Sequence, residues 1–523
     1  MRNLNMQDLD IDSIRTIPND TIPMTIPNTI KRSRRSKRGL YVVLLLALLS
    51  VGCTGLPVQP TPATTPEIPD QWHGLQDLQE STVQTADPSP EEITAWWRRL
   101  EDPVLDQLVA VAVADSLTLQ SAAARVAEAR ARRGLLKADL GPTVSAGLSA
   151  STREPLADGA GGELFSGSFE TAWEADLFGA KRLSLRAGES DLAASVEDLH
   201  GARVSLVAEV VIAYTDLRVA EARLRVVDDN LESREETYSL TNFREQAGLT
   251  TALDVSQALS NLEQTRANRV TVELGRTNAE LRLALLLGQT PGTLDSMLAA
   301  ESSAEPSVDL PTPPQSVTVG LPADALRRRP DVRAAGLRLD GALARVGAAE
   351  AARYPTLRLT GSLDGQSADL EDLFDVDSFL ANLLAGLTAP IFQSGRIEQN
   401  ILLEETRLEQ SALAYGDSIL QALSEVESAL ASWHSIRHQI DALDRALAAA
   451  REAAELADQR YEAGLVDLLV VLDSQRSLLS LEEQHVAARG ERAIAFANLY
   501  RALGGGWISG PTDSAATSGA SNV

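Results

Sequence analysis

Cysteine is almost absent from this sequence: Cys53 is the single one among 523 residues. One thiol excludes an internal disulfide and a cysteine-cluster metal site. Cations are also in short supply, since 47 Lys and Arg face 73 Asp and Glu, for a net charge of -26. This balance argues against nucleic acid as a partner, because polyanions are bound by clustered cations.

Long apolar runs and catalytic motifs are missing as well. The apolar stretch Leu40–Leu49 covers about half of the roughly 20 residues that a membrane-spanning helix needs, and no later stretch free of charges reaches that helix length. We therefore predict no transmembrane helix. The chain has no G-x-x-x-x-G-K-[ST] phosphate loop, no G-x-S-x-G elbow and no H-E-x-x-H helix. We expect neither catalysis nor self-powered transport, and no cofactor other than a covalent lipid.

The N-terminal region has the layout of a secretory signal peptide. A basic block from Lys31 to Arg38 stands directly before the apolar stretch, which leads through "SVG" to Cys53. We predict a signal peptide over residues 1–52, with Met24 as an alternative start. Small residues before a cysteine resemble a bacterial lipoprotein box, although Ser50 stands where leucine is usual. Cys53 is therefore the predicted lipid attachment site; the alternative is a small residue in an ordinary cleavage region.

The body of the chain contains landmarks that recur at a nearly constant offset. The offsets are 213, 213, 214 and 216 residues for four pairs in order: Leu117 with Pro330, Pro142 with Pro355, Phe178 with Phe392, and Gly248 with Gly464. Such a series predicts an internal duplication. The predicted segments are a lipidated tether (53–70), an N-terminal equatorial segment (71–102), repeat 1 (103–300), a linker (301–317), repeat 2 (318–507) and a disordered tail (508–523).

Each copy contains long helices with apolar residues at three- and four-residue spacing and almost no internal proline. Lys181–Ala247 and Gly395–Ala463 each span about 67 residues, or roughly 100 Å. Shorter helices are predicted over Pro103–Asp139 and Thr250–Leu287. Helices of such length form a coiled-coil-like shaft. Gly248 and Gly464 stand where a long helix must reverse, and glycine accepts the left-handed dihedrals of such a stop.

Short segments between the helices alternate apolar and polar residues, which indicates strands with one apolar face. We predict them over residues 143–152, 165–177, 356–365 and 379–391. The alternation of apolar and polar residues alone is compatible with two structures, a membrane barrel and a half-buried sheet of a soluble protein. The lipoprotein-like signal favours the membrane. Four strands cannot close a barrel, so several chains would have to contribute; two give eight strands and a filled interior, and three give twelve and a lumen.

These segments carry motifs that resemble the outer-membrane factors of tripartite efflux systems, the TolC family, and within it the OprM and NodT type of lipoproteins. The motifs are "RRRPDVRAA" (327–335), "WEADLFGAKR" (173–182), "APIFQSGR" (389–396), "RYEAGLVDLLVVLDSQRSLL" (460–479) and "ALGGGW" (502–507). The resemblance implies an α+β membrane protein: a homotrimer with a twelve-stranded outer-membrane β-barrel, four strands per chain, continuous with a long periplasmic α-helical barrel.

The same resemblance implies a periplasmic gate on the second helix hairpin. Counted from Tyr461, Gly464 and the "VLD" motif, the constricting residues fall on Leu469 and Asp473, and Gly248 marks the other hairpin tip. Three Asp473 side chains would form an anionic ring, and three Leu469 a hydrophobic iris. Val466 and Val470 depart from relatives that have Arg and Asp there. Without the resemblance, Leu469 is an ordinary core leucine and Asp473 a solvated carboxylate.

The function expected from the resemblance is a passive exit duct that docks to a periplasmic adaptor and an inner-membrane pump. Two alternatives stay open: the channel of a type I secretion system, and a structural coiled-coil lipoprotein without a pore. His434 and His438 lie four apart on a predicted helix, but no third ligand stands nearby, so we expect a surface pair and no metal site.

Overall fold

The computed structural model describes residues 66–75, 83–84, 86, 89–154, 161–294 and 310–507. The chain divides into two compact units, Met1–Gln59 and Pro60–Val523. The first unit lies outside the described residues, and so do the predictions made for Cys53, Met24, the signal peptide and the tail 508–523. All of the described residues belong to the second unit.

Helices make up most of the described chain. They are α1 (Pro90–Thr94), α2 (Pro103–Asp115), α3 (Leu117–Ala138), α4 (Ala180–Gln246), α5 (Ala252–Leu286), α6 (Pro322–Arg328), α7 (Pro330–Ala351), α8 (Arg396–Glu462) and α9 (Leu468–Ala502). The strands are β1 (Val83–Gln84), β2 (Thr143–Arg153), β3 (Gly162–Ala175), β4 (Val317–Thr318), β5 (Thr356–Ser367) and β6 (Phe379–Thr388).

The predicted duplication is present in the helices. The long helices α4 and α8 have 67 residues each, as predicted. The shorter α5 and α9 have 35 residues each. Both ends of α8 lie 216 residues after the matching ends of α4, and the same holds for α9 and α5. Repeat 1 therefore forms an α4–α5 hairpin and repeat 2 an α8–α9 hairpin of identical helix lengths.

The two hairpins reverse direction in the same way. Gly248 and Gly464 both have a φ of 71°, which confirms the left-handed stop predicted for them. After each glycine a leucine N–H returns to the helix: Leu249 donates to the Arg244 carbonyl and Leu465 to the Arg460 carbonyl, both at 2.8 Å. These bonds satisfy helix-end carbonyls that otherwise lack a partner.

The prediction of one helix over Pro103–Asp139 is wrong, because the chain breaks at Ser116. The Ser116 backbone is extended there, with a ψ of 124°. For this reason α2 ends at Asp115 and α3 begins at Leu117. Gly288, just after α5, lies against the break: a Cβ added there would stand 2.9 Å from the Asp115 carbonyl oxygen. The helix predicted from Thr250 starts at Ala252, because Thr251 is its N-cap in a capping box.

One helical segment of the described chain, Pro103–Ala138, is long and apolar enough to cross a membrane when judged by length and composition. The sequence predicted none. Core helices of soluble proteins have the same composition, and Leu105, Leu108 and Ala112 of α2 are completely buried. Packing against α4 and the aromatic core accounts for the apolar side chains of α2.

That core lies where both repeats and the N-terminal segment meet. Trp96 stacks on Tyr500 at 5.7 Å between ring centroids and meets Phe496 edge-on at 5.8 Å. All three side chains are fully buried. The strands β1 and β4 pair in parallel, Val83 with Val317, which ties residues before repeat 1 to the start of repeat 2. Val317, predicted as the last linker residue, thus belongs to a strand.

The remaining strands form one antiparallel sheet in the order β2-β3-β5-β6. β3 begins three residues before the predicted 165 and ends at Ala175 rather than 177, and β6 ends at Thr388 rather than 391. Residues directly opposite in the register share a face. One such row runs Val144, Thr171, Gly361 and Leu383, and the next row on that face runs Ala146, Phe169, Leu363 and Ala381.

The register therefore gathers the predicted apolar residues of all four strands on one face. This face is exposed: Leu148 is 71% and Leu383 86% accessible. The opposite face carries a row of Ser145, Glu170, Ser362 and Asn382. In the described chain β2 and β6 each pair with one strand only, so both edges of the sheet are open.

Candidate functional site at the hairpin ends

The predicted gate residues lie on the first turns of α9, just after the tip of the second hairpin. Leu469 is 59% exposed, and the Asp473 side chain is 80% exposed. Both line an open groove of about 840 Å³ between the hairpins, opposite Gln257, Ser260 and Gln264 of α5. The structure therefore brings the two residues onto one surface, an apolar side chain beside a carboxylate.

The groove also carries positive charge close to Asp473. Arg476, one turn further along α9, places its Nη1 3.9 Å from the Asp473 Oδ1. Behind the groove wall, the buried Arg234 of α4 donates from Nη1 to the Asn261 Oδ1 at 3.2 Å and the Thr265 Oγ1 at 2.5 Å. Burial lowers the pKa of Arg234, and the nearby Arg476 lowers it further. The carboxylate thus has one guanidinium group beside it on its own helix, and a second, buried guanidinium lies behind the groove wall.

Tyr461 does not face the groove but is buried where the hairpins meet. Its side chain is 7% exposed and packs with Ala258, Ala457 and Leu472. The Tyr461 hydroxyl lies 3.3 Å from the Thr241 Oγ1 of α4. Tyr461 therefore links the second hairpin to the first.

A second link at this point is made by Arg244, near the end of α4. Its Nη1 donates to the Tyr461 carbonyl at 2.9 Å and its Nη2 to the Glu462 carbonyl at 2.8 Å. The guanidinium also lies over the Tyr461 ring, 4.5 Å from the centroid. A cation at a helix C-terminus is favourable because the final carbonyls carry partial negative charge. Arg244 thus caps α8 from the neighbouring hairpin.

A third link between the hairpins is made by Gln475, which also contacts a carboxyl group with a raised pKa. Gln475 of α9 donates from Nε2 to the Thr237 Oγ1 at 3.0 Å and to the Asp458 Oδ1 at 3.5 Å. Burial raises the pKa of Asp458, the Glu462 carboxylate raises it further, and the bond from Gln475 lowers it. The packing therefore favours the uncharged form of Asp458 more strongly than water favours the uncharged form of an exposed aspartate.

The hairpin tips themselves are apolar and exposed. Leu249 is 76% and Leu465 74% accessible, each directly after the tip glycine. Side chains of this kind at the free end of a helical pair suit docking of another protein.

The histidine pair has the geometry of helical neighbours. The rings of His434 and His438 are 4.6 Å apart and nearly perpendicular. Within the described residues no group of three or more His, Cys, Asp or Glu side chains is placed to hold a metal ion.

The sequence pointed to Leu469 and Asp473 as candidate gate residues, which stays a prediction, but it gave no indication of the contacts of Arg244, Thr241 and Arg234. The repeat offset held a signal for the first of them, since Arg244 and Arg460 are 216 residues apart and occupy the same position before each tip. Whether Arg244 or Arg460 caps the neighbouring hairpin depends on how the helices pack, and the sequence does not specify this packing.

Comparison with known proteins agrees with this geometry. A family model described as outer membrane efflux protein matches residues 108–289 and 321–505. Outer membrane protein OprJ of Pseudomonas aeruginosa is 34% identical over 476 residues, 89% of this chain and 96% of OprJ. The cation efflux system protein CusC of Escherichia coli is 31% identical over 464 residues, covering 88% and 97%. The solved outer-membrane channel OprN superposes with a TM-score of 0.74 at 30% identity, over 85% of this chain and 98% of OprN.

The fold and these relatives define an outer-membrane efflux channel. The chain belongs to the outer membrane efflux protein family, the TolC-type outer-membrane factors. Its place is the outer membrane, where it serves as the exit duct of an efflux system.

Proposed function

We propose that this duct is a lipid-anchored homotrimer that conducts small molecules passively after docking to a periplasmic adaptor and an inner-membrane pump. Cys53 carries the lipid, Leu469 and Asp473 form the closed gate, and the hairpin tips around Gly248 and Gly464 are the docking end.

The observation that supports the trimer best is the four-stranded sheet. Its apolar face is exposed and both of its edges are open in the described chain. Exposed edges within a bilayer leave backbone groups without partners, so spanning sheets close into barrels. Eight strands is the usual minimum for a barrel, and a lumen needs more. Three copies give twelve strands, with the apolar faces towards lipid and the Ser145–Asn382 row towards the lumen.

The gate proposal rests on the position and exposure of its residues. A three-fold axis near the groove would bring three Asp473 carboxylates and three Leu469 side chains together. Because Arg476 lies close to Asp473, one cation from each chain reduces the repulsion among the three carboxylates of the closed ring.

The exported substrate is set by the pump in this proposal, since a passive duct accepts what its pump delivers. The chain is similar to OprJ, and to CusC, whose name describes cation efflux. We propose drugs or other small molecules as the cargo. A type I secretion channel is the second candidate; a poreless structural lipoprotein has no use for a one-sided sheet of this length.

Two experiments test this proposal. We expect the purified protein to migrate as a trimer in detergent and to dissociate into monomers only on heating. We also expect Leu469→Ala with Asp473→Ala to sensitise a host without its own duct to large hydrophilic antibiotics, because the constriction is lost. A water-soluble monomer would rule out the trimer, and unchanged susceptibility with correctly inserted protein would rule out this gate.

A further inference from the structure

Basic side chains gather at the middle of the α8–α9 hairpin, although the chain as a whole is acidic. Arg437 belongs to α8. His485, Arg489 and Arg492 follow one another along α9 at spacings of four and three residues, which places them on one face. Within the described residues none of the three arginines forms an ion pair, whereas the His485 Nε2 lies 2.8 Å from the Asp444 Oδ1. The Asp444 carboxylate is thus engaged by the histidine.

The same place in repeat 1 is made of ion pairs. The counterparts of the four basic residues, 216 positions earlier, are two acids and two arginines: Glu221, Arg269, Glu273 and Arg276. The Arg276 Nε lies 3.7 Å from the Glu221 Oε1, and the Arg269 Nη1 lies 3.2 Å from the Glu273 Oε2. Because the hairpins have equal helix lengths, these contacts show where carboxylates belong in this packing. Repeat 2 has arginine at both carboxylate positions.

Two aspartates in repeat 2 compensate for only part of this exchange. Asp444 has its counterpart in Asp228, so this acid is common to both repeats. Asp441 stands where repeat 1 has Arg225, and in the described chain it forms no ion pair with Arg492. Three arginines against two aspartates leave a surplus of one positive charge, and a protonated His485 would make it two.

A cavity of about 300 Å³ lies beside these residues, between the hairpin and the segment 310–313. Asp444, His485, Arg489 and Arg492 all line it. The Arg492 Nη2 donates to the carbonyls of Pro313 and Pro314 at 3.4 and 3.3 Å. In the part of the chain that the structure describes, the other nitrogens of this guanidinium make no hydrogen bond, so they are free to bind a ligand.

The electrostatics of Arg492 show that the group is incomplete. Burial lowers the pKa of the half-buried Arg492 guanidinium, Arg437 and Arg489 lower it further, and Asp441 raises it. Both burial and neighbouring cations disfavour the charged form of an arginine. An anion bound between the guanidinium groups would reverse the second effect, as Glu221 does for Arg276 in repeat 1.

We propose that this cavity binds a small oxyanion, a phosphate or carboxylate group held by Arg489 and Arg492, which replaces the carboxylates that repeat 1 supplies from Glu221 and Glu273. Guanidinium groups suit this class because their parallel N–H donors match two oxygens of a carboxylate or phosphate. A cavity of this volume is at the lower end of ligand pockets, which favours a small molecule. The site goes beyond the exit duct and does not depend on the trimer or the gate.

The position along α8 excludes a lipid headgroup as the source of the anion. The helix begins at Arg396, close to the end of β6, and covers about 60 Å from there to Arg437. The sheet is the part of an outer-membrane channel that meets lipid, so the cavity lies well outside the membrane. The ligand is therefore a soluble phosphate or a small carboxylic acid.

Thermal unfolding of the purified full-length protein in detergent tests this site. Inorganic phosphate and succinate are titrated separately, each at constant ionic strength against chloride. We expect the melting temperature to rise with at least one of them, because a ligand that binds only the folded state stabilises it. The more effective anion distinguishes a phosphate site from a carboxylate site.

Variants of exposed arginines separate binding from folding. Arg489→Gln should weaken the apparent affinity by about tenfold or more, because hydrogen bonds between charged partners are lost. Without ligand the same variant should raise the melting temperature, because it removes a cation that repels Arg492. Arg451→Gln is the matched control: its Nη2 lies 3.2 Å from the Glu482 Oε1 on the same two helices, so the anion affinity should not change.

A stricter variant is Arg489→Glu, which supplies the acid that repeat 1 has at this position. It should raise the melting temperature in chloride alone and abolish the response to phosphate and succinate. Equal responses to phosphate, succinate and chloride, or unchanged affinity in Arg489→Gln, would overturn the site. A lower melting temperature of Arg489→Gln without ligand would show that this arginine stabilises the fold and would also contradict the proposal. Conductance measured on the same preparations reports on the duct separately.

Discussion

The contact between the two hairpins should depend strongly on Arg244. Arg244→Ala removes two hydrogen bonds from a charged donor to the α8 carbonyls of Tyr461 and Glu462, at 2.9 and 2.8 Å, and one contact with the Tyr461 ring. Bonds with a charged partner contribute about 1.5 kcal/mol each at the low end of the usual range, which suits a half-buried side chain. The ring contact adds about 0.5 kcal/mol. The sum is about 3.5 kcal/mol per chain, which shifts the equilibrium between packed and separated hairpins roughly 300-fold.

The assay is the leakage of large hydrophilic antibiotics in a host that lacks its own duct, together with single-channel conductance. Arg244→Ala should raise both, because separated hairpins widen the periplasmic end. Arg244→Lys is the conservative variant: it keeps the charge but cannot make two parallel bonds, so we expect an intermediate effect. Arg266→Ala is the matched control on α5, since this arginine makes only exposed ion pairs with Glu235 and Glu263 and these contribute little. Equal leakage in Arg244→Ala and Arg266→Ala would refute the reasoning.

Three further predictions concern other positions. The pKa of Asp458 is raised in the folded state, so its contribution to the stability of the fold falls as the pH rises above about 4. Asp458→Asn should therefore raise the melting temperature at pH 7 and leave it unchanged at low pH. An equal change at both pH values would contradict this. Gly288→Ala should lower the free energy of unfolding, measured in denaturant titrations, by roughly 1 kcal/mol or more. The reason is that Gly288 has a φ of 69° and that an alanine Cβ would lie 2.9 Å from the Asp115 carbonyl oxygen. A neutral effect would show that the break at Ser116 relaxes freely. Cys53→Ala should slow delivery to the outer membrane more than it reduces conductance, and complete loss of membrane association would count against the barrel.

Much of the fold was predictable because it is periodic. The long helices α4 and α8 have the predicted length, since apolar spacing and the absence of proline continue up to the tip glycines. The alternation in the strands also predicted which residues share a face, because the side-chain period of a strand is two. The register between strands brought these faces together along β2, β3, β5 and β6.

The break between α2 and α3 was not predictable from periodicity. Leu105, Leu108 and Ala112 continue the helical pattern up to Asp115, and Leu117 resumes it at once. At this break Gly288, which is distant in sequence, packs against the end of α2. A contact between residues so far apart in sequence cannot be predicted from the residues around the break.

The candidate site was predictable only in part for a similar reason. Leu469 and Asp473 follow from a motif around Gly464, so counting along the chain located them. The contacts of Arg244 and Arg234 join residues of different helices, and their roles depend on which helices are neighbours. The repeat offset narrows the choice of neighbouring helices, because matching helices of the two repeats pack in similar ways.

Electrical conductance of the purified protein in a planar bilayer tests the duct most directly. A passive channel with a closed periplasmic end predicts small, stable conductance steps for the unaltered trimer, and larger steps for Leu469→Ala with Asp473→Ala measured under the same salt. A trimer that inserts into the bilayer and shows no conductance, with or without these substitutions, would contradict the account.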